Sequence, residues 1–207
     1  MAAIEAVPLT ATQIQQASMA LAEAFQDDPL QTYVLPDPQE RARLSPARFA
    51  AAIWCGHLFG QVFTTSGAPM GAAVCLPPGG HDMTLERLQR MREAGVLKLM
   101  TSMGPAAVKR LNEVLKFLEF FHKRDVLSAH WYVMVVGVSP AQQGQGIGRA
   151  LLQPVLDRAA VEGLPCYLET AQPTNIPFYQ RLGFRVLVEA VEPTSGLRLW
   201  TLRRDAR

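Results

Sequence analysis

The stretch that most constrains this chain runs from Val133 to Ala150 and reads VMVVGVSPAQQGQGIGRA. Val133, Met134, Val135, Val136 and Val138 form a run of strand-favouring residues that stops at Ser139-Pro140. Gly144, Gly146 and Gly148 follow, and an apolar-periodic segment opens at Ile147. The order is therefore a strand, a glycine-rich turn and a helix N-terminus. Glycines at alternate positions let the backbone come close to a bulky anion, and the first amides of the helix point at it with the positive end of the dipole behind them. A phosphate or pyrophosphate is the expected ligand of this turn.

Three phosphate-binding patterns compete for the loop. A P-loop ends in Gly-Lys-Ser/Thr, but Gly148 is followed by Arg149 and Ala150. A dinucleotide fingerprint places its third glycine at Arg149 or at Leu151, so neither register fits, although Glu169 lies at a tolerable distance for a ribose partner. The third pattern, Gln/Arg-x-x-Gly-x-Gly/Ala after a strand ending in Val-Ser-Pro, is met by Gln143-Gly144-Gln145-Gly146-Ile147-Gly148. In this motif the chain resembles the GNAT superfamily of N-acetyltransferases. The competing reading of the glycines is a tight turn with no ligand.

At 207 residues the chain can bury one sizeable core, and one domain is expected. Twenty basic residues stand against eighteen acidic ones, a net charge of +2, which gives no polyanion-binding excess and no argument for nucleic acid. The N-terminal Met1 to Val7 has neither a basic start nor an apolar core of the secretory kind, and the apolar run Phe49 to Phe63 is broken by His57 and Gln61. These features lead to the expectation of a cytoplasmic protein without a membrane partner, a monomer or homodimer. Cys55, Cys75 and Cys166 are odd in number and widely spaced, which suits reduced thiols. His57, His81, His122 and His130 lack ligand spacing, so no metal is expected.

Along the chain, residues 3–8 read as an edge strand and Thr10 as the N-cap of a helix to about Phe25. A second helical region covers about Pro29 to Leu35, and a third runs from Gln39 to Phe59 with an interruption expected near Ser45-Pro46. Gln61–Thr65 and Met70–Leu76 read as a hairpin. Residues 81–123 read as a helical insertion near the acceptor side, in which Met91, Met100, Met103 and the cluster Phe117, Phe120 and Phe121 are assigned to core. The segment after the loop carries a helical stripe that contains Pro154, where a bend is expected. A strand at Pro165–Thr170, a short helix at Thr174–Leu182 and a final hairpin complete the chain. A helix joining two strands implies that Tyr132–Val138 and Pro165–Thr170 run parallel.

The segment Asn175-Ile176-Pro177-Phe178-Tyr179-Gln180-Arg181-Leu182-Gly183-Phe184 resembles a second GNAT signature, Asn-x-x-x-Phe-Tyr-x-x-x-Gly-Phe. The resemblance implies an α/β fold with a mixed, mostly antiparallel sheet of about seven strands, a splayed parallel central pair and helices on both faces. It implies acetyl-CoA as cofactor, with Val136, Gly137 and Val138 alongside the pantetheine arm. The amides from Gln143 through Gly144, Gln145, Gly146, Ile147 and Gly148 to Arg149 would hold the pyrophosphate. Asn175 matches a CoA-contacting position and Tyr179 the tyrosine that protonates the departing thiolate. A phenol, with an ordinary pKa of about 10, is an acid matched to a thiolate leaving group. Within the superfamily the look is nearest to the puromycin N-acetyltransferase subgroup.

The attacking amine must lose a proton, yet no carboxylate occurs from Tyr132 to Val138, where some members of the family carry a strand glutamate. Glu169, at the end of the following strand, is the first candidate for the base, and a water held by backbone carbonyls is its rival. Asp28, Tyr33, Trp54 and His57 on the N-terminal helices, and His130 and Trp131 at the entry of the central strand, are candidates to line the acceptor pocket. The expected activity is acetyl transfer to a primary amine of a small molecule. The alternatives are an acyl-CoA-binding regulatory module without turnover and a protein N-acetyltransferase.

Overall fold

A computed structural model describes residues 4–206. Seven strands form one sheet in the order β1-β2-β3-β4-β5-β7-β6, where β1 is Ala6–Pro8, β2 Gln61–Thr65, β3 Gly71–Leu76, β4 Trp131–Val138, β5 Cys166–Thr170, β6 Arg185–Val191 and β7 Arg198–Arg204. Every pairing is antiparallel except β4 with β5. The expected first strand is thus shorter than residues 3–8, and Ala3 lies outside the described residues.

The parallel pair is joined for only two positions, Trp131 with Cys166 and Tyr132 with Tyr167. Beyond them the strands part, and β4 continues for six residues with no partner on that side. A second irregularity lies on its other side. Val74 faces Val135 and Cys75 faces Val133, so Met134 is an extra residue that bends β4 and re-aims the residues after it.

Helices cover both faces. On one, α1 (Ile14–Ala24) and α3 (Pro38–Phe59) bury Leu21, Phe49 and Ile53 against Ala72 and Val74. On the other, α7 (Ile147–Glu162) buries Ile147, Leu151, Leu152, Val155 and Leu156 against Ala73, Cys75, Trp131 and Val133. Alternate residues of β3 thus feed opposite cores, as the two-residue period of a strand requires. At about 25 cal/mol per Å2 each fully buried leucine or isoleucine of α7 contributes roughly 2 kcal/mol, which fixes the helix and the loop at its head. Gly137 permits the close approach of α1, because a Cβ there would meet the Phe25 ring at 2.7 Å and Leu21 at 3.0 Å.

The remaining helices are α2 (Pro29–Val34), α4 (Leu85–Glu93), α5 (Val96–Thr101), α6 (Pro105–Asp125) and α8 (Ile176–Arg181). The expected break in α3 does not occur. Pro46 lies within an unbroken helix, and the carbonyl it deprives of a donor belongs to Ala42, which is solvent-exposed. The helix α7 is likewise continuous through Pro154. No helix among the described residues is long and apolar enough to cross a membrane. Cys55, Cys75 and Cys166 are free thiols.

Candidate active site

The parting of β4 from β5 opens a cleft of about 620 Å3 between the strand, the head of α7 and α8. Its walls include Val136, Gly137 and Val138, whose edge is unpaired on this side, and Gln143, Gly144, Gly146, Ile147, Gly148 and Arg149. Gly144 and Gly146 adopt positive φ, +78° and +83°, a region that costs other L-residues about 1 kcal/mol or more, and a Cβ at either would meet nothing within 4 Å. The turn needs glycine for its backbone path and leaves its outer side open. The first main-chain bond into α7 runs from the Ala150 amide to the Gly146 carbonyl at 3.0 Å, which leaves the amides of Ile147, Gly148 and Arg149 without a carbonyl partner. The Gln143 side chain ties the loop back to the strand by donating to the Val138 carbonyl at 3.0 Å. Gln145 donates to Gln142 at 3.2 Å and does not line the cleft. A cradle of free amides at the head of a sixteen-residue helix, with Arg149 and Arg181 on its rim, fits a diphosphate, and the open edge of β4 fits an extended amide-containing arm. The residues present therefore suit coenzyme A.

Tyr179 lies at the base of the cleft. It is buried, it packs between Phe178 and Phe184, and its hydroxyl has no hydrogen-bond partner among the described residues. Burial pushes its pKa well up, and Asp28 and Cys75 add to the effect. The proton is thus held firmly at a hydroxyl free to donate.

Behind Tyr179 a second cavity of about 260 Å3 shares Phe25, Asp28, Val136, Asn175 and Tyr179 with the first. Its roof is formed by Met100 and Met103 near α5 and by Val108, Leu111, Leu115 and Leu118 of α6. Of the residues assigned to core from the sequence, Met91, Met103 and Phe121 are buried and Met100 and Phe117 pack against core clusters, Met100 and Met103 also lining this space, whereas Phe120 is exposed. Asn175 precedes α8 without capping it by its side chain. Asp28 caps α2 by accepting from the amides of Leu30 at 2.9 Å and Gln31 at 3.3 Å; burial raises its pKa and these two bonds oppose the rise.

Glu169 faces the same cavity from β5. Its carboxylate accepts from Tyr132 at 2.7 Å, and burial pushes its pKa up to about 7, the tyrosine bond opposing. On its far side His122 Nδ1 lies 3.6 Å away. Sequence spacing offered no reason to group the histidines, yet the fold gathers His81, His122 and His130 with ring nitrogens within 4.8 Å of one another. His130 Nδ1 lies 2.7 Å from the Ser128 carbonyl and so carries hydrogen. His130 Nε2 then accepts from His122 Nε2 at 2.6 Å, which leaves His122 Nδ1 as a lone pair toward Glu169. Two ligands on one zinc ion stand about 3.3 Å apart in tetrahedral geometry, so a 2.6 Å contact is that of a hydrogen-bonded pair. Burial holds His122 down to about 3, in the neutral form this chain requires.

Five of the expected pocket residues lie elsewhere. Trp131 is 2% exposed, donating to Glu162 at 2.7 Å beneath α7, and His130 is buried in the histidine cluster. Both stand where β4 and β5 are still paired, at the closed end of the splay. Tyr33, on α2, packs against Val114 and Leu118 of α6 and donates to Glu113 at 3.4 Å. Trp54 packs among Ala51, Met91 and Val96, with His57 exposed beside it. The cavity-facing stripe of α3 is instead Arg48, Ala51, Ala52 and Cys55, spaced i, i+3, i+4 and i+7. Reading that stripe required knowing which side of α3 faces β4. Arg48 and Tyr132 carried no motif and were missed.

Residues 101–184 match the model of the Acetyltransferase (GNAT) family. An uncharacterised N-acetyltransferase of Schizosaccharomyces pombe is 29% identical over 177 residues, 82% of this chain and 70% of that protein. The N-alpha-acetyltransferase RimI of Mycobacterium tuberculosis is 36% identical over 110 residues, 51% of this chain and 61% of that one. The crystal structure of histone acetyltransferase HPA2 and related acetyltransferase from Corynebacterium glutamicum superposes with a TM-score of 0.69 at 21% identity, covering 99% of this chain and 97% of that chain.

Proposed function

We propose that this chain, whose residues 101–184 match the acetyltransferase (GNAT) family, moves an acetyl group from acetyl-CoA to the primary amine of a small molecule. The observation that carries the reading is Tyr179, on the wall shared by an open cleft suited to coenzyme A and a smaller cavity behind it. Acetyl-CoA, bound in that cleft, supplies an acyl group activated as a thioester.

The chain's own groups supply the rest. The amides of Ile147, Gly148 and Arg149 hold the diphosphate, and the unpaired edge of Val136–Val138 aligns the arm toward the second cavity. Tyr179 donates its proton to the departing thiolate. Its high pKa keeps the phenol protonated until a stronger base, the thiolate of a desolvated site, forms beside it. An alkylammonium entering the second cavity must shed a proton before it can attack, and Glu169, ionised above about pH 7, is the carboxylate facing that space from β5. It stands in for the glutamate that β4 lacks.

The small-molecule reading is favoured over a protein substrate because the second cavity is roofed by α6 and holds about 260 Å3, below the usual range for a drug-sized ligand. The test is release of free thiol on incubation with acetyl-CoA and a panel of amines, puromycin included because of the sequence resemblance, with N-terminal peptides as the competing class. Tyr179→Phe should slow release by about a hundredfold or more. Undiminished turnover in that variant removes the proposed acid, and tight CoA binding with no thiol release from any amine at any pH returns the reading to a regulatory module.

A further inference from the structure

Among the described residues, one charged group of the second cavity has no hydrogen-bond partner. Arg48 lies on the cavity-facing stripe of α3, and among the described residues its guanidinium has neither a carbonyl nor a carboxylate within bonding distance; the Phe49 ring lies 5.1 Å from its Cζ. Arg41, one face away on the same helix, shows the ordinary solution for a buried arginine, with its nitrogens donating to the carbonyls of Gln26, Leu35 and Pro36 at 2.7, 2.6 and 3.0 Å. Burial lowers the pKa of Arg48 to about 10, Asp28 opposing, so the group remains a cation at neutral pH. Asp28 acts on it only through space, because the Asp28 carboxylate is spent on the amides of Leu30 and Gln31 and makes no ion pair with it. Glu169, the other carboxylate of the cavity, is bonded to Tyr132.

Half-buried in the cavity wall, the guanidinium keeps donors free to take a partner from the cavity, and its planar fork matches a carboxylate in two parallel bonds. Phe25, Phe49, Met100, Met103 and Leu111 make most of the surrounding wall apolar. We propose that Arg48 binds a carboxylate of the acceptor, so that the acceptor is an amine that also bears a carboxylate on an apolar frame, an apolar amino acid being the simplest case. This rests on the reading of the second cavity as the acceptor site. A substrate of this kind is complemented at both ends, its ammonium by the carboxylate side of the cavity and its carboxylate by Arg48.

The experiment compares matched pairs that differ only in the carboxylate, phenylalanine with phenethylamine and methionine with 3-(methylthio)propylamine, each with acetyl-CoA. A charge-assisted bidentate contact predicts a preference of about ten- to hundredfold in kcat/KM for the carboxylate-bearing member. In Arg48→Gln the ratio should fall to near one, and Arg48→Lys should keep part of it. The ratio does not depend on how much of a variant is folded. Equal or better use of the plain amines by the wild type, or a ratio unchanged in Arg48→Gln, overturns the proposal. Binding of the acetylated products in the presence of CoA gives the same ratio without turnover. If no thiol is released but N-acetylphenylalanine binds better than N-acetylphenethylamine through Arg48, the catalytic reading fails while this one stands.

Discussion

Replacement of Glu169 by glutamine separates the carboxylate's charge from its shape. In the folded protein burial holds its pKa at about 7, against an ordinary 4.5 once unfolded. Between those values the native state keeps a proton that the unfolded chain has released, so this group's contribution is present in full below about pH 4.5 and is lost as pH rises through about 7. The span amounts to roughly 3 kcal/mol, of which about 2 to 3 kcal/mol falls between about pH 5 and about pH 8. The amide of the variant would still accept from Tyr132 but cannot ionise. His122 contributes the opposite slope, because its pKa is depressed to about 3 and its stabilisation grows as pH rises toward its unfolded value, but it does so in both proteins. The difference in unfolding free energy, variant minus wild type, should therefore increase by about 2 to 3 kcal/mol across that range. Urea titrations at several pH values, followed by tryptophan fluorescence, measure it. A difference that stays constant with pH would show that Glu169 titrates near its ordinary value, and the case for it as a base poised near neutrality would fall with that result.

The same titration should govern the reaction. The wild-type kcat/KM should rise with pH to a plateau above about 7, and Glu169→Gln should lose that limb along with most of its rate; identical pH profiles would point to a water as the base. Gly146→Ala, forced to φ +83°, should lose about 1 kcal/mol of stability and weaken CoA binding by calorimetry, whereas unchanged affinity would dissociate the loop's conformation from the cofactor. Gly137→Ala places a methyl 2.7 Å from Phe25, so α1 must retreat, at a cost of about 1 to 3 kcal/mol in urea unfolding; a neutral effect would mean that α1 is loosely seated.

Local patterns carry information about groups that act through the backbone. The run of valines, the glycines at 144 and 146 and the apolar stripe of α7 each state a conformational requirement within a few residues, so the strand, the turn and the helix head were legible with their order. The parallel pairing of β4 with β5 followed from the helix that joins them. Residues that act through side chains converging from distant segments were not legible in the same way. Trp54 and His57 were attractive as polar aromatics, yet α3 presents Arg48 and Cys55 to the cavity. Trp131 and His130 lie at the end of β4 where the sheet has not yet opened. His81 is distant in sequence from His122 and His130, and only the tertiary packing gathers the three, with His122 beside Glu169.

The amino-acid order by itself determined where the chain must turn, where glycine is obligatory and where a helix begins with its amides exposed, because those are consequences of dihedral sterics and hydrogen bonding over short spans. The tertiary structure alone decided that β4 and β5 part after two paired residues, that Tyr179 stands between two cavities, and that Glu169 and Arg48 face the second of them. Burial is a property of what surrounds a group, so the altered acidities of Glu169, Tyr179 and Arg48 exist only once distant segments have packed around them.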